Sequence, residues 1–430
     1  MVDPFVWLER GTWWGRGRPH AARQNAPVPE SDRRLRIVTP RFGEAVVGGA
    51  EWVARELALR LAGAGWRVEV FTTCAVDAVS WRNHEPAGTG RDGPVTVHRF
   101  ATAIRRPPRL FHQLSRVLFR LPSGLRPEPL WVALQGPYAP GLVRALAVAP
   151  AAPTLFLPYL YHPSLRGALR SRGARLLMPA AHEERPLGLR SVARLVEAVD
   201  GFLYATPEER ALLEAAHPAA AERAWRVGNV GLEAPGGGDP GRARARLGLS
   251  GPYLLHAGRA ATGKGIDELL AALALLRRSH PEVGLVLAGD AGAASAGGTG
   301  AEPGVVRAGR LERAQLWDAV AGAAAVVVPS FLESQSLLAV EAWAVGRPAL
   351  LNAASPALAG QVGRSGGGVL YRGAAELAAA AAALLDDPDR AAALGASGRR
   401  FVDSRYRWEA VLDRVGELVD EAERRALARG

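Results

Sequence analysis

Lysine, cysteine and methionine are nearly missing from this chain. Of 430 residues, one is a cysteine (Cys74), two are methionines, and Lys264 is the single lysine among 53 basic residues. One cysteine excludes an internal disulfide framework and a multi-cysteine metal site, and it fits a reducing compartment. No uninterrupted apolar run reaches the ~18 residues that a membrane span needs. The first residues carry Asp3 and Glu9, are broken by Gly and Pro, and lack the apolar core of a signal peptide. A cytoplasmic, non-spanning protein is therefore expected. Aromatic residues make up only 7% and are not interleaved with a basic stripe, while the arginines are spread widely, so nucleic acid is not the expected partner despite a net charge of +11. That excess suits a phosphate-bearing ligand or an anionic membrane surface instead. The scarcity of lysine points to a pressure against lysine codons, which draws attention to the one that survives.

The remaining composition is that of an ordinary globular protein, 48% hydrophobic and 22% charged, with enough length for two cores. Residues 1–34 mix Trp13, Trp14, Gly, Pro and Arg without any period and read as an extension, expected to be poorly ordered. From Leu35 a strand (Arg36 to Thr39), a glycine-rich loop, a helix (Ala50 to Ala62) and a second strand (Trp66 to Thr72) make a βαβ unit. Apolar runs at 130–134, 154–160, 175–179 and 201–204 continue an α/β rhythm and are expected to be strands. A Pro/Gly-rich linker from Ala234 to Pro240 interrupts it. The rhythm restarts with a strand at 253–257, a helix at 266–279, and strands at 284–288 and 325–328. The expected architecture is α/β, two Rossmann-like doubly wound domains facing a cleft: residues 35–234 and 235–405, followed by a C-terminal helix in 406–430. Such sheets bind ligands at the carboxyl ends of their strands.

Two constellations carry chemistry. In Gly258-Arg259-Ala260-Ala261-Thr262-Gly263-Lys264-Gly265, glycines hold an arginine and the sole lysine between a strand and a helix. Fixed cations and helix N-terminal amides together suit a diphosphate. It is not a P-loop, because neither Ser nor Thr follows the lysine. In Pro329-Ser330-Phe331-Leu332-Glu333-Ser334-Gln335-Ser336-Leu337-Leu338-Ala339-Val340-Glu341, Glu333 falls in a loop after a buried strand. Glu341 falls on an apolar helix face among Leu337, Leu338, Ala344 and Val345. A carboxylate there needs donors, supplied either by sugar or ribose hydroxyls or by a backbone amide or arginine.

The order Gly-Arg-x4-Lys-Gly, Pro-Ser, Glu-x7-Glu-Ala, Gly-Arg-Pro, from about Tyr253 to Gly368, resembles the donor domain of GT-B glycosyltransferases of family 4. The resemblance implies that Arg259 and Lys264 hold the donor diphosphate, Glu333 contacts the donor sugar and Glu341 the ribose. Ser336 and Leu337, at the start of the following helix, are expected to bind the donor as well. Family members usually carry Glu-x-Phe-Gly where this chain has Glu333-Ser334-Gln335-Ser336, but a serine can still cap the helix. In the N-terminal half, Gly48 and Gly49 resemble the loop where acceptor and donor phosphates approach closely. The family also places a histidine at a strand end near the reacting sugar. His162 and His182 are the candidates, and His182, beside Glu183 and Glu184, has the more polar surroundings.

The same resemblance implies a nucleotide-sugar donor, a glycan or lipid-linked acceptor, and transfer with retention. Neither a metal nor a cofactor beyond the donor is implied. The leaving diphosphate would assist removal of the acceptor proton, so no enzyme nucleophile is required. Asp387-Pro388-Asp389 spells the Asp-x-Asp of metal-dependent transferases but ends an alanine-rich helix, and a helix-end role is expected. A sugar-nucleotide epimerase or phosphorylase on the same fold, and a non-catalytic sugar-nucleotide-binding protein, are the competing functions. Finally, Leu110, Leu114, Val117, Leu118 and Leu121 recur at helical spacing, with Arg109, Arg116 and Arg120 off that stripe. Residues 1–130 hold 20 arginines against 12 acidic residues. Peripheral binding at the inner membrane face is the resulting expectation.

Overall fold

Short apolar runs bounded by turn residues become strands buried on both faces, because helices cover both sides of a parallel sheet. In the computed structural model, which describes residues 33–46, 48–233, 238–258, 264–289 and 302–429, these runs build two sheets. The first contains β1 (Arg34–Val38), β2 (Arg67–Thr73), β3 (Gly88–Asp92), β4 (Val95–Phe100), β5 (Thr154–Phe156), β6 (Arg175–Leu177), β7 (Gly201–Tyr204) and β8 (Ala224–Val227). The second contains β9 (Tyr253–Ala257), β10 (Gly284–Ala288), β11 (Val305–Gly309), β12 (Ala325–Val328), β13 (Ala349–Asn352) and β14 (Gly368–Tyr371).

Strand order is β3-β4-β2-β1-β5-β6-β7-β8 in one sheet and β11-β10-β9-β12-β13-β14 in the other. Every pair is parallel except the edge hairpin β3–β4. Apart from that edge hairpin, each order reverses direction once, between β1 and β5 and between β9 and β12. Chains leaving the carboxyl ends of such neighbours diverge and leave a crevice. Gly48 and Gly49 follow β1, His162 follows β5, and His182 follows the adjacent β6. Lys264 follows β9, and Glu333, Ser336, Leu337 and Glu341 follow β12. The topology thus explains why residues far apart in sequence share one region.

One sequence expectation changes, and tertiary structure adds two further features. Residues 130–134 are helical, within Glu128–Gln135, where Trp131, Val132 and Gln135 are buried and Leu130 is exposed. A five-residue apolar run does not by itself separate a strand from one buried helix face. The β3–β4 hairpin was not expected, because exposed β3 (Gly-Thr-Gly-Arg-Asp) carries no apolar pattern. The last helix, Trp408–Leu427, lies within the C-terminal helix expected at 406–430. It buries Trp408, Val411, Val415, Leu418, Val419 and Ala422 and packs on β7 and β8 of the first sheet. At the crossing, Leu418 lies so close to Gly201 that a side chain at Gly201 would crowd it.

Candidate active site

Lys264 and Glu333, 69 residues apart in sequence, come together. Lys264 Nζ lies 2.5 Å from Glu333 Oε1. Gly265 makes the meeting possible: it starts the helix Ile266–Leu276 at φ +68°, and a Cβ there would strike the Pro329 carbonyl oxygen. Only glycine adopts this backbone at so close an approach without strain. Beneath the turn lies His256, which sequence reasoning passed over although it stands two residues before Gly258. Its Nδ1 is 2.9 Å from the Val327 carbonyl, its Nε2 has no partner among the described residues, and burial holds its pKa below the ordinary value. Arg259 lies outside the described residues.

Ser336 is the N-cap of the helix Leu337–Ala344. Its Oγ accepts the Ala339 N–H at 3.2 Å, and its own N–H donates to Gln361 Oε1 at 2.8 Å. Glu341, one turn further on, is buried, and burial pushes its pKa up while the Arg313 guanidinium pulls it back. Arg313 ion-pairs with it. The same guanidinium sits 4.7 Å from the ring centre of Trp52 and 4.9 Å from that of Trp317. Trp52 belongs to the helix Gly49–Gly63 of the first sheet's domain. Of the partners weighed from sequence, an arginine is what the structure supplies, and that arginine is pressed from both domains.

On the opposite wall, Gly49 lies against Leu337: a Cβ there would be 3.5 Å from Leu337 Cδ1. At Gly48 a Cβ would strike Glu51, which forms a buried ion pair with Arg41. Arg41 also donates to the Val76 carbonyl at 2.8 Å. This pair braces the glycine loop and was not found from sequence, where Arg41 looked like any other of the many arginines.

The two histidines differ sharply. His162 is the first residue of the helix His162–Gly167, is 5% exposed, and meets the Tyr138 ring edge-on at 4.7 Å. Burial and nearby Arg166 push its pKa down to about 4. His182 is half-buried in the loop after β6, with Nδ1 3.7 Å from Glu184 Oε1. Glu184 in turn accepts the Tyr159 hydroxyl at 2.7 Å. Asp387 caps the helix Pro388–Arg405 through the Arg390 N–H at 2.9 Å, the helix-end role expected of it. No group of three or more His, Cys, Asp or Glu side chains that could hold a metal occurs among the described residues.

The basic helix spans Pro108–Leu118. Its apolar stripe divides: Leu118 is buried and Phe111 packs on Trp131, whereas Leu110 and Val117 are 56% and 57% exposed. Among the described residues no helix is long and apolar enough to cross a membrane.

Two doubly wound sheets with cations, carboxylates and a capped helix at facing strand ends define the GT-B architecture, and comparison with known proteins agrees. The family model for glycosyl transferases group 1 matches residues 242–401. A D-inositol 3-phosphate glycosyltransferase of Catenulispora acidiphila is 30% identical over 423 residues, 88% of this chain and 91% of that protein. This chain belongs to the group 1 glycosyltransferases. A glycogen synthase of Mycobacterium tuberculosis is 33% identical over 195 residues, a segment that covers 42% of this chain and 45% of that protein. In fold, the chain is similar to sucrose-phosphate synthase of Thermosynechococcus elongatus (TM-score 0.68, 23% identity, covering 93% of this chain and 100% of that one). It is also similar to Anabaena HepE solved with UDP and glucose (TM-score 0.65, 17% identity, covering 90% and 99%).

Proposed function

We propose that this protein moves a sugar from a nucleotide-sugar donor to a hydroxyl of a glycan or lipid-linked acceptor, with retention and without a metal ion or other cofactor. The observation that carries the reading is the meeting of Lys264 and Glu333 at 2.5 Å where the loops after β9 and β12 converge. Lys264 contributes a fixed cation for the leaving diphosphate, joined by Arg259. Glu333 is placed for donor-sugar hydroxyls and Glu341 for the ribose. In the step itself the bond from the anomeric carbon to the phosphate oxygen breaks, and its electron pair leaves on the diphosphate. The acceptor oxygen bonds the same face of that carbon, and the acceptor proton passes to the departing phosphate oxygen. The protein's largest contribution is stabilisation of the leaving charge. His182, half-buried and 3.7 Å from Glu184, is the better candidate of the two histidines to touch the reacting sugar, because His162 is buried.

HepE was solved with UDP and glucose, so UDP-glucose is the first donor to test. The purified chain is expected to consume its donor in chelator-treated buffer and to give a product of unchanged anomeric configuration by NMR. Strict dependence on magnesium or manganese, or an inverted product, refutes the corresponding part. Epimerisation of the donor without any acceptor marks the competing enzyme.

For location we propose a cytoplasmic enzyme that visits the inner membrane face. Leu110 and Val117 face outward beside exposed Arg109, Arg116 and Arg120. Each basic residue near an anionic surface is worth about 1 kcal/mol. Co-sedimentation with phosphatidylglycerol vesicles at low salt, lost in high salt and with phosphatidylcholine, is the expected result. Absence of binding to either vesicle sinks the location while leaving the transfer reading intact.

A further inference from the structure

Two residues at the start of one helix tie the crevice walls together. The helix Pro207–Ala216 is capped by Thr206, whose Oγ accepts the Glu209 N–H at 3.2 Å. The same hydroxyl donates to the Ser334 carbonyl at 2.9 Å, next to Glu333 across the crevice. Glu208 makes a two-pronged ion pair with Arg364 of the helix Pro356–Ser365, the second contact at 2.9 Å. Gly360 of that helix lies so close to Glu208 that a side chain there would collide with the carboxylate.

Glu209 turns the other way. It is buried, yet among the described residues it pairs with no cation. One carboxylate oxygen accepts the Ala181 N–H at 2.7 Å and the other the Ala205 N–H at 2.6 Å. The carboxylate thus staples the ends of neighbouring strands β6 and β7. Ala181 immediately precedes His182, and the residue before it, Ala180, has φ +52°. A non-glycine residue in that left-handed region is strained, so contacts that hold the neighbouring backbone matter here. Hydrogen bonds from N–H groups to a carboxylate are the strong, short kind that can supply it.

We propose that Glu209 is a positioning residue for sugar transfer: its carboxylate fixes the loop carrying His182, and Thr206 and Glu208 in the same helical turn register that loop against the loop carrying Glu333. The inference rests on the transferase reading and deepens it. Donor contacts belong to the second sheet, so the staple acts on the alignment of the reacting groups and not on donor affinity. Misplacement by about 1 Å is enough to cost ~100-fold in rate.

The test compares the full chain with Glu209→Gln, which keeps the shape but offers an amide N–H to one backbone N–H. Glu214→Gln, on the same helix, is the control. With UDP-glucose as donor, Glu209→Gln is expected to lower kcat by about 10- to 100-fold. UDP affinity by calorimetry should stay within about threefold, since a 1.4 kcal/mol change would already be tenfold. The NMR signal of the His182 ring C2 proton should move in Glu209→Gln and stay put in Glu214→Gln. An unchanged kcat, an equal loss of UDP binding, or an unmoved His182 signal overturns the proposal. If Glu209→Gln does not fold, Thr206→Val removes the bond to Ser334, together with the cap on the Glu209 N–H, and leaves the carboxylate's own contacts to Ala181 and Ala205. It should then lower kcat and spare UDP binding, and an unaltered kcat overturns the proposal. Wild-type protein that turns over no donor defeats the transferase reading, and the His182 signal still decides whether Glu209 sets that loop.

Discussion

On the second sheet's wall of the crevice, Lys264 and Glu333 are 28% and 19% exposed, whereas on the first sheet's wall Arg41 and Glu51 are 4% and 9% exposed. Both pairs stand after a strand at a direction reversal, but they are built for different tasks. A partly hydrated pair is cheap to rearrange, which is what the diphosphate role proposed for Lys264 requires. Separating a buried pair strands a charge away from water, which makes Arg41 and Glu51 a brace and not a binding surface. The same chemistry, an ion pair, is open to rearrangement on one side and holds the backbone on the other. Depth below the surface is what separates them.

The contrast can be broken most severely at the buried pair. Arg41→Met is expected to destabilise the fold by about 3–5 kcal/mol because Glu51 is left buried without its partner. Chemical denaturation measures this, and a loss under about 1 kcal/mol, the scale of an exposed pair, would show that the pair braces nothing. At the exposed pair the damage should fall on rate. Lys264→Ala should lower kcat by about 100- to 1,000-fold, the cost of one preorganised electrostatic group, with a much smaller change in stability. Full turnover in a soluble, folded variant would falsify the diphosphate assignment.

The histidines sharpen the contrast through pH. The His162 pKa is held down to about 4 in the folded chain against an ordinary 6.5. The unfolded chain therefore binds a proton first as pH falls. The stability His162 contributes is complete above about pH 6.5 and is lost as pH drops towards 4, amounting to at most about 3 kcal/mol. His162→Gln should flatten that part of the stability profile, and in the wild type the His162 ring should remain neutral by NMR at about pH 5.5, between its folded and ordinary values. Titration near the ordinary 6.5 would contradict its burial. The smallest effect is expected at Glu341→Ala, which should raise the Kd for the nucleotide by about tenfold, ~1.4 kcal/mol, with kcat less affected. Unchanged affinity would remove the ribose role.

Much of the second sheet was legible. The bounds expected for β9, β10 and β12 match the structure, because each is an apolar run flanked by turn residues whose signal is local. Lys264 stood out through its rarity, and Glu333 and Glu341 through their place after a buried strand. The first sheet was less readable. Its β3–β4 hairpin has a polar, exposed edge, and the helix at 128–135 carries an apolar run too short to show a period. Glu209 did leave a trace: Thr206-x-x-Glu209 is the spacing of a capping box. Its carboxylate, however, reaches past its own cap to Ala181 and Ala205, a destination no local pattern specifies.

The sequence by itself determined the succession of strands, loops and helices, the glycines that permit tight turns, and the order in which Lys264, Glu333 and Glu341 arrive. Those features depend on side-chain period and backbone freedom over a few residues, and a few residues suffice to read them. Tertiary structure decided the partners. Arg313, not a closer neighbour, pairs with Glu341; Trp52 from the other domain lies against it; and the last helix returns to the first sheet. Such choices depend on which polar groups become buried together and must satisfy one another. That is a property of how the two sheets pack and not of any stretch of chain.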